Sequence, residues 1–370
     1  MNITIRVDSS SQIGTGHVVR CLTLAEELRQ AGCNVSFLSQ NLTGDSQDAI
    51  KARCFTVSHV PAPNRGSPDR VLEGNIADTR LLGADWKYDA ESVIKALTAT
   101  QTPMDWLIVD HYALDARWER LMRPFAKHIM VIDDLANRPH DCDILLDQTY
   151  GTCDSRYERL VPPHCHRLLG TKFTLLRPQF ARRRAHLVPA MSLHPRPSKV
   201  HVFFGGTDPH RNSLRFSSLL LENFPTLSIK LAVSTASEIR GELEKLGDRH
   251  EPRLRWSDGI TDMAENMSGC DIAIGAPGMA TWERACLGIP GAYIATAENQ
   301  VQILEQLAAQ RFCAFIGIHH AITDDQFVRA IGAFVADVGL LSTMRHMNMA
   351  AVDGLGTSRV VNSMLEIGQR

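Results

Sequence analysis

Short apolar runs alternate with helically spaced apolar positions along most of the chain. Residues 3–7 (ITIRV) alternate apolar and polar side chains and read as a strand. A loop rich in serine and glycine follows, then a helix over residues 17–30. Its Val18, Leu22, Ala25 and Leu28 recur at helical spacing, and Gly32 supplies the stop. Residues 34–39 (NVSFLS), 105–110 (DWLIVD), 128–133 (HIMVID) and 143–147 (DILLD) are further buried strands. Apolar runs of this kind, separated by helical stretches, predict a parallel sheet covered on both faces. Residues 61–85 have weaker periodicity and read as a loop with a short helix.

Between Arg177 and Lys199 the pattern breaks into Arg182, Arg183 and Arg184, then Pro189, Pro195 and Pro197, which marks a domain boundary. The arginine run itself reads as a solvated linker face. Beyond it the opening pattern returns: a strand over residues 200–204, a Gly205-Gly206-Thr207-Asp208 loop, and a helix starting near Arg211. Strands at 228–233 and 271–274 follow, with helices near 281–287 and 300–309. The expected architecture is α/β, with two doubly wound Rossmann-like domains over residues 1–185 and 198–370 facing one another across a cleft. The helical last stretch is expected to pack back across it. Sheets of this type bind ligands at the carboxyl ends of their strands.

Composition narrows the chemistry. A length of 370 residues exceeds what one core usually supports, and a formal net charge of −2 without basic blocks gives no support to nucleic-acid or membrane-surface binding. The first residues lack the apolar core of a signal peptide, so a cytoplasmic protein is expected. Nine scattered cysteines read as reduced thiols. Cys142, Cys153 and the His164-Cys165-His166 run have poor spacing for zinc, and no metal or cofactor is expected.

Three loops at predicted strand ends carry the candidate chemistry. In the first, Gly14 and Gly16 let the backbone approach a ligand, and the next helix offers its N–H groups. The sequence GTGHVVR lacks the third glycine of a dinucleotide fingerprint. His17, at the positive end of that helix, suits a neutral imidazole able to accept a proton. A capping or structurally bonded histidine remains open on pattern alone. Asp8, at the strand end, is a candidate to orient His17, to meet a substrate, or to satisfy loop N–H groups. The second loop, Gly205 to Asp208, can approach an anion through Gly206 and Thr207. The third spans 275–300: a helix starting near Met279, Ala280 and Thr281 can hold a diphosphate, and Glu283 can accept from ribose hydroxyls. Asn299 and Gln300 precede the next helix.

Taken together, RVDSSSQIGTGHVVRCLTLA (6–25), IVDHYALD (108–115), IDDLANRPHDCDILLDQ (132–148), GTKFTLLRPQF (170–180), FFGGTDPHRNSL (203–214) and the WERACLGIP…ENQ segment (282–300) resemble the nucleotide-sugar hydrolases of pseudaminic acid biosynthesis. The resemblance implies a GT-B fold and hydrolysis of UDP-2,4-diacetamido-2,4,6-trideoxy-β-L-altropyranose at the anomeric C–O bond, with inversion. It implies His17 as the base, with Asp8, Tyr112, Asp110, Arg20, Gly14 and Gly16 around the sugar. Gly206, Thr207, Met279, Ala280, Thr281, Glu283, Asn299 and Gln300 would then hold the nucleotide. The expected partner is a small UDP-sugar acted on by a monomer. Two other classes stay open: a GT-B glycosyltransferase using a UDP-sugar donor, and a nucleotide-sugar-binding protein without catalysis.

Overall fold

The apolar runs assemble into two all-parallel sheets. The computed structural model describes residues 1–10, 13–42, 44–61, 86–100, 103–187, 196–206, 208–235 and 237–369. Apart from Pro61, the loop and short helix expected over 61–85 lie outside the described residues. The first sheet comprises β1 (Asn2–Val7), β2 (Asn34–Gln40), β3 (Thr56–Val60), β4 (Met104–Asp110), β5 (Ala126–Ile132), β6 (Ile144–Asp147) and β7 (His166–Leu169), in the order β3-β2-β1-β4-β5-β6-β7. The second comprises β8 (Lys199–Phe203), β9 (Ser228–Ala232), β10 (Leu254–Ser257), β11 (Ile272–Gly275), β12 (Gly291–Ala295) and β13 (Ala314–Ile318), in the order β10-β9-β8-β11-β12-β13.

Both orders reverse direction once, between β1 and β4 and between β8 and β11. Loops leaving the sheet part at such a point, and the crevice between them is where doubly wound sheets take ligands. Register makes this concrete. Val7 pairs with Asp110, so the loop that begins at Asp8 leaves the sheet level with Asp110. In the second sheet Phe203 pairs with Gly275. A Cβ on Gly275 would lie 1.9 Å from the Phe203 carbonyl oxygen, so only glycine permits this approach.

The chain divides into two compact units, Met1–Leu175 with Leu355–Arg370, and Leu176–Gly354. This differs from the expected division at 185 and 198 in two ways. First, the helix Pro178–Leu187 falls in the second unit, and although Arg182 is exposed, Arg183 and Arg184 are not a solvated linker face. Arg184 donates to the carbonyls of Cys286 (3.0 Å), Met349 (2.7 Å) and Val352 (3.2 Å), while Arg183 donates to Ser268 Oγ. Carbonyls at helix C-termini lack intrahelical donors, and a guanidinium supplies them. Second, the last helix, Gly356–Gly368, falls in the first unit. Its Val360, Val361 and Met364 are buried in one cluster with Ile3, Ile5, Leu22 and Trp106. Gly356 lets it close on the chain: a Cβ there would lie 2.3 Å from the Thr174 carbonyl oxygen.

Candidate functional site

The first switch point gathers titratable groups that are far apart in sequence. The helix Gly16–Gln30 begins one residue before His17, after a turn in which Gly14 N–H donates to the Ser10 carbonyl at 2.8 Å. Gly14 holds φ at +80°, a left-handed value suited to glycine. His17 Nδ1 lies 2.6 Å from Asp110 Oδ1 at the end of β4. Arg20, one helical turn on, grips the same carboxylate with Nε at 2.7 Å and Nη2 at 2.6 Å. Burial acts to raise the Asp110 carboxyl, but the Arg20 guanidinium and then His17 more than reverse it, holding the group well below the usual carboxylate range.

That ionised state decides the tautomer. A carboxylate is acceptor-only, so Nδ1 at 2.6 Å carries the proton and donates it to Asp110. The Arg20 Nη2 at 3.1 Å from Nδ1 is then a close neighbour rather than its donor. In the neutral ring the lone pair is then on His17 Nε2, which has no partner among the described residues. The Tyr112 ring meets the imidazole edge-on, with centroids 4.6 Å apart, and fixes its plane. Arg20 is buried and extends Nη1 to Asp134 at 3.0 Å, so it braces the carboxylates around His17.

Asp8 does not touch His17 and so does not orient it. It accepts from Arg6 at 2.5 and 2.8 Å and from the Gln40 N–H at 2.8 Å, and it lies 3.3 Å from His111 Nε2. Burial works against the charged form, but Arg6 and then His111 hold Asp8 far below the usual carboxylate range. His111 takes the Ala113 N–H on Nδ1 at 3.1 Å, which leaves the proton on Nε2 facing Asp8. Ile13, His17, His111 and Tyr112 line one recess, with Asp8 and Asp110 at its floor. Within it His17 alone presents an open ring nitrogen among the described residues. Sequence reading missed His111 and Asp134. Their only signal was position, in the DHY and IDD runs that end two apolar strands.

The second switch point carries the remaining candidates. Gly205 and Gly206 follow β8, and Thr207 lies outside the described residues. Asp208 accepts the N–H groups of Asn212 (2.9 Å) and Ser213 (2.8 Å), so the helix Asn212–Asn223 is capped from within the loop. The helix Met279–Cys286 starts differently. Gly278 precedes it at φ +104°, and no side chain caps it. Met279 and Ala280 form its first turn, whereas Thr281 is buried beside Tyr293. Glu283 is buried and accepts from Arg177 Nη2 at 2.9 Å. Gln300 Oε1 accepts from the Thr296 N–H at 2.8 Å, and Asn299 is exposed. Beneath the loops lies Arg284, fully buried, donating to the Phe203 and Ala276 carbonyls at 3.1 and 3.2 Å. It ties together the ends of β8 and β11, and sequence reading missed it too.

Two parallel α/β units, each with candidate groups where its strand order reverses, define the GT-B fold. The chain matches the crystal structure of Acinetobacter baumannii MurG with a TM-score of 0.65 over 99% of both chains, at 14% identity. In sequence it is similar to the UDP-2,4-diacetamido-2,4,6-trideoxy-β-L-altropyranose hydrolase of Campylobacter jejuni, 29% identical over 251 residues that cover 68% of this chain and 76% of that protein. It is also similar to the spore coat polysaccharide biosynthesis protein SpsG of Bacillus subtilis, 23% identical over 369 residues covering 97% and 96%. The likeness to the hydrolase thus covers about two thirds of the chain, and that to SpsG nearly all of it. No protein-family model matches it.

Proposed function

We propose that the chain hydrolyses a UDP-linked sugar at the anomeric C–O bond, with UDP-2,4-diacetamido-2,4,6-trideoxy-β-L-altropyranose as substrate. The observation that carries the reading is the His17 imidazole, locked by Asp110 as the Nδ1–H tautomer with Nε2 open toward a recess. Nε2 takes a proton from water as the water oxygen bonds to the anomeric carbon. The bond from that carbon to the diphosphate oxygen breaks, and its electron pair leaves with UDP. Attack on the face opposite the leaving group inverts the centre. Asp110 stabilises the imidazolium as it forms, the division of labour of a base and its orienting carboxylate.

In this proposal the second unit binds the nucleotide. Gly206, Thr207 and the first turn at Met279 and Ala280 face the diphosphate, whose growing negative charge a helix start stabilises. Glu283, Asn299 and Gln300 take the nucleoside, and release of the Arg177 pair would open Glu283 to the ribose. Gly14 and Gly16 shape the sugar pocket.

The test is an NMR time course of the purified protein with this UDP-sugar and no added acceptor, beside His17→Ala. Wild type is expected to release UDP and free sugar of inverted configuration. A positioned base contributes about 10²–10⁴-fold, so His17→Ala is expected to lose that factor while keeping UDP affinity. Near-normal turnover in His17→Ala would remove the assignment. Turnover by wild type only when a sugar acceptor is added would make the chain a glycosyltransferase.

A further inference from the structure

Beyond the base and its carboxylate, the contacts around His17 close into a ring. His17 bonds Asp110, Asp110 bonds Arg20, and Arg20 Nη1 bonds Asp134 Oδ2 at 3.0 Å. Asp134 also faces the Tyr112 phenol, whose ring packs edge-on against His17 and completes the circuit. Asp134 is thus joined to both groups that immobilise the imidazole or its carboxylate, and it touches neither the imidazole nor Asp110.

Charge gives this ring a second consequence. Arg20 and Asp110 alone would be a neutral pair, and a proton arriving on His17 would leave a net positive charge among buried groups. With Asp134 on the other side of the guanidinium, one cation stands between two carboxylates and the set carries a net negative charge. Protonation of His17 then brings the set to neutrality, which favours the imidazolium. The neighbouring set of Asp8, Arg6 and Asp89 also carries one cation between two carboxylates, and that charge is the same in wild type and in every variant compared below. Asp8 faces Arg6 and His111, Arg6 is shared with the buried Asp89, and the Cys21 thiol donates to Asp110.

We propose that Asp134 is a positioning residue for the base: it holds Arg20 and Tyr112 in place around His17 and supplies the negative charge that lets the imidazole keep the proton taken from water. The proposal rests on the reading of His17 as the base, and the experiment separates the two. The pH profile of kcat/KM is measured for wild type, His17→Ala, Asp134→Asn, Asp134→Glu and Tyr112→Phe, with UDP affinity and circular dichroism recorded for each.

Turnover retained in His17→Ala overturns the base itself, whatever Asp134 does. With that turnover lost, Asp134→Asn is expected to lower the plateau on the order of 10-fold, a part of what a positioned base contributes. Its rising acid limb moves to lower pH, because an imidazole without that charge gives up its proton more readily. Asp134→Glu restores the limb. A lower plateau with the limb unmoved in Asp134→Asn would reduce Asp134 to a structural role and overturn the proposal. Tyr112→Phe breaks the phenol contact and keeps every charge, so its limb stays at the wild-type position. A shifted limb in Tyr112→Phe overturns the charge argument even where Asp134→Asn does not fold.

Discussion

His17 and His111 line one recess, and hydrogen bonding alone separates their chemistry. The Asp110 carboxylate takes the proton side of His17 and leaves Nε2 open, whereas His111 spends Nδ1 on a backbone N–H and points its proton at Asp8. The candidacy of His17 was legible in the sequence, since a glycine turn before a helix places a histidine at its positive end. The orienting residue was not. Asp8 and Asp110 both close apolar strands, and strand register with side-chain reach gave His17 to Asp110 and Arg6 to Asp8. A third histidine sets a pH dependence. His201 is fully buried, with Nε2 3.1 Å from Asn266 Oδ1, and burial, aided by the Arg284 charge, lowers it from 6.5 to about 3. The unfolded chain takes a proton on this ring that the folded chain refuses. The stability contributed by the neutral ring is therefore complete above about 6.5 and lost as pH falls toward about 3. Denaturant unfolding at stepped pH is expected to show wild-type stability falling across that window and a shallower slope in His201→Gln. An identical slope in the variant would place the titration elsewhere.

At the scale of elements, the strands that sequence reading missed share one property. β3 and β7 are the edges of the first sheet, and β10 and β13 are the edges of the second. An edge strand is covered on fewer sides, so TVSHV, HRLL, LRWS and AFIGI need no continuous buried run and show none. Central strands such as β4 and β11 are buried almost throughout and were read correctly. Helix starts depend on backbone geometry in the same hidden way. Gly278, at φ +104° and ψ −150°, occupies a region essentially reserved for glycine and sets the direction of the Met279–Cys286 helix. Gly278→Ala is expected to cost about 1–3 kcal/mol of stability and to weaken UDP binding by tilting that first turn. Calorimetric titration with UDP, beside a melting curve, checks both. Unchanged UDP affinity in a destabilised variant would remove this helix start from the nucleotide site.

For the whole molecule, the C-terminal helix carries the most direct prediction. Gly356–Gly368 completes the core of the unit that begins the chain, and fully burying a Val or Met side chain contributes about 1.5–3 kcal/mol. A chain ending at Gly354 is expected to lose amide protection in β1 and β2 by hydrogen exchange while β8 and β11 keep theirs. Equal loss in both sheets would contradict the assignment of this helix to the first unit. The sequence by itself determined that there are two α/β halves, which central strands they contain, and that His17 sits where a glycine-rich loop enters a helix, because these follow from local periodicity and backbone preference. Tertiary structure alone decided which carboxylate orients His17 and that Asp134 braces Arg20. It also bound Arg183 and Arg184 within the second unit and set which part of the helical last stretch joins the first. Those outcomes depend on pairings between residues tens to hundreds of positions apart, and only the sheet register and the competition for buried partners select among them.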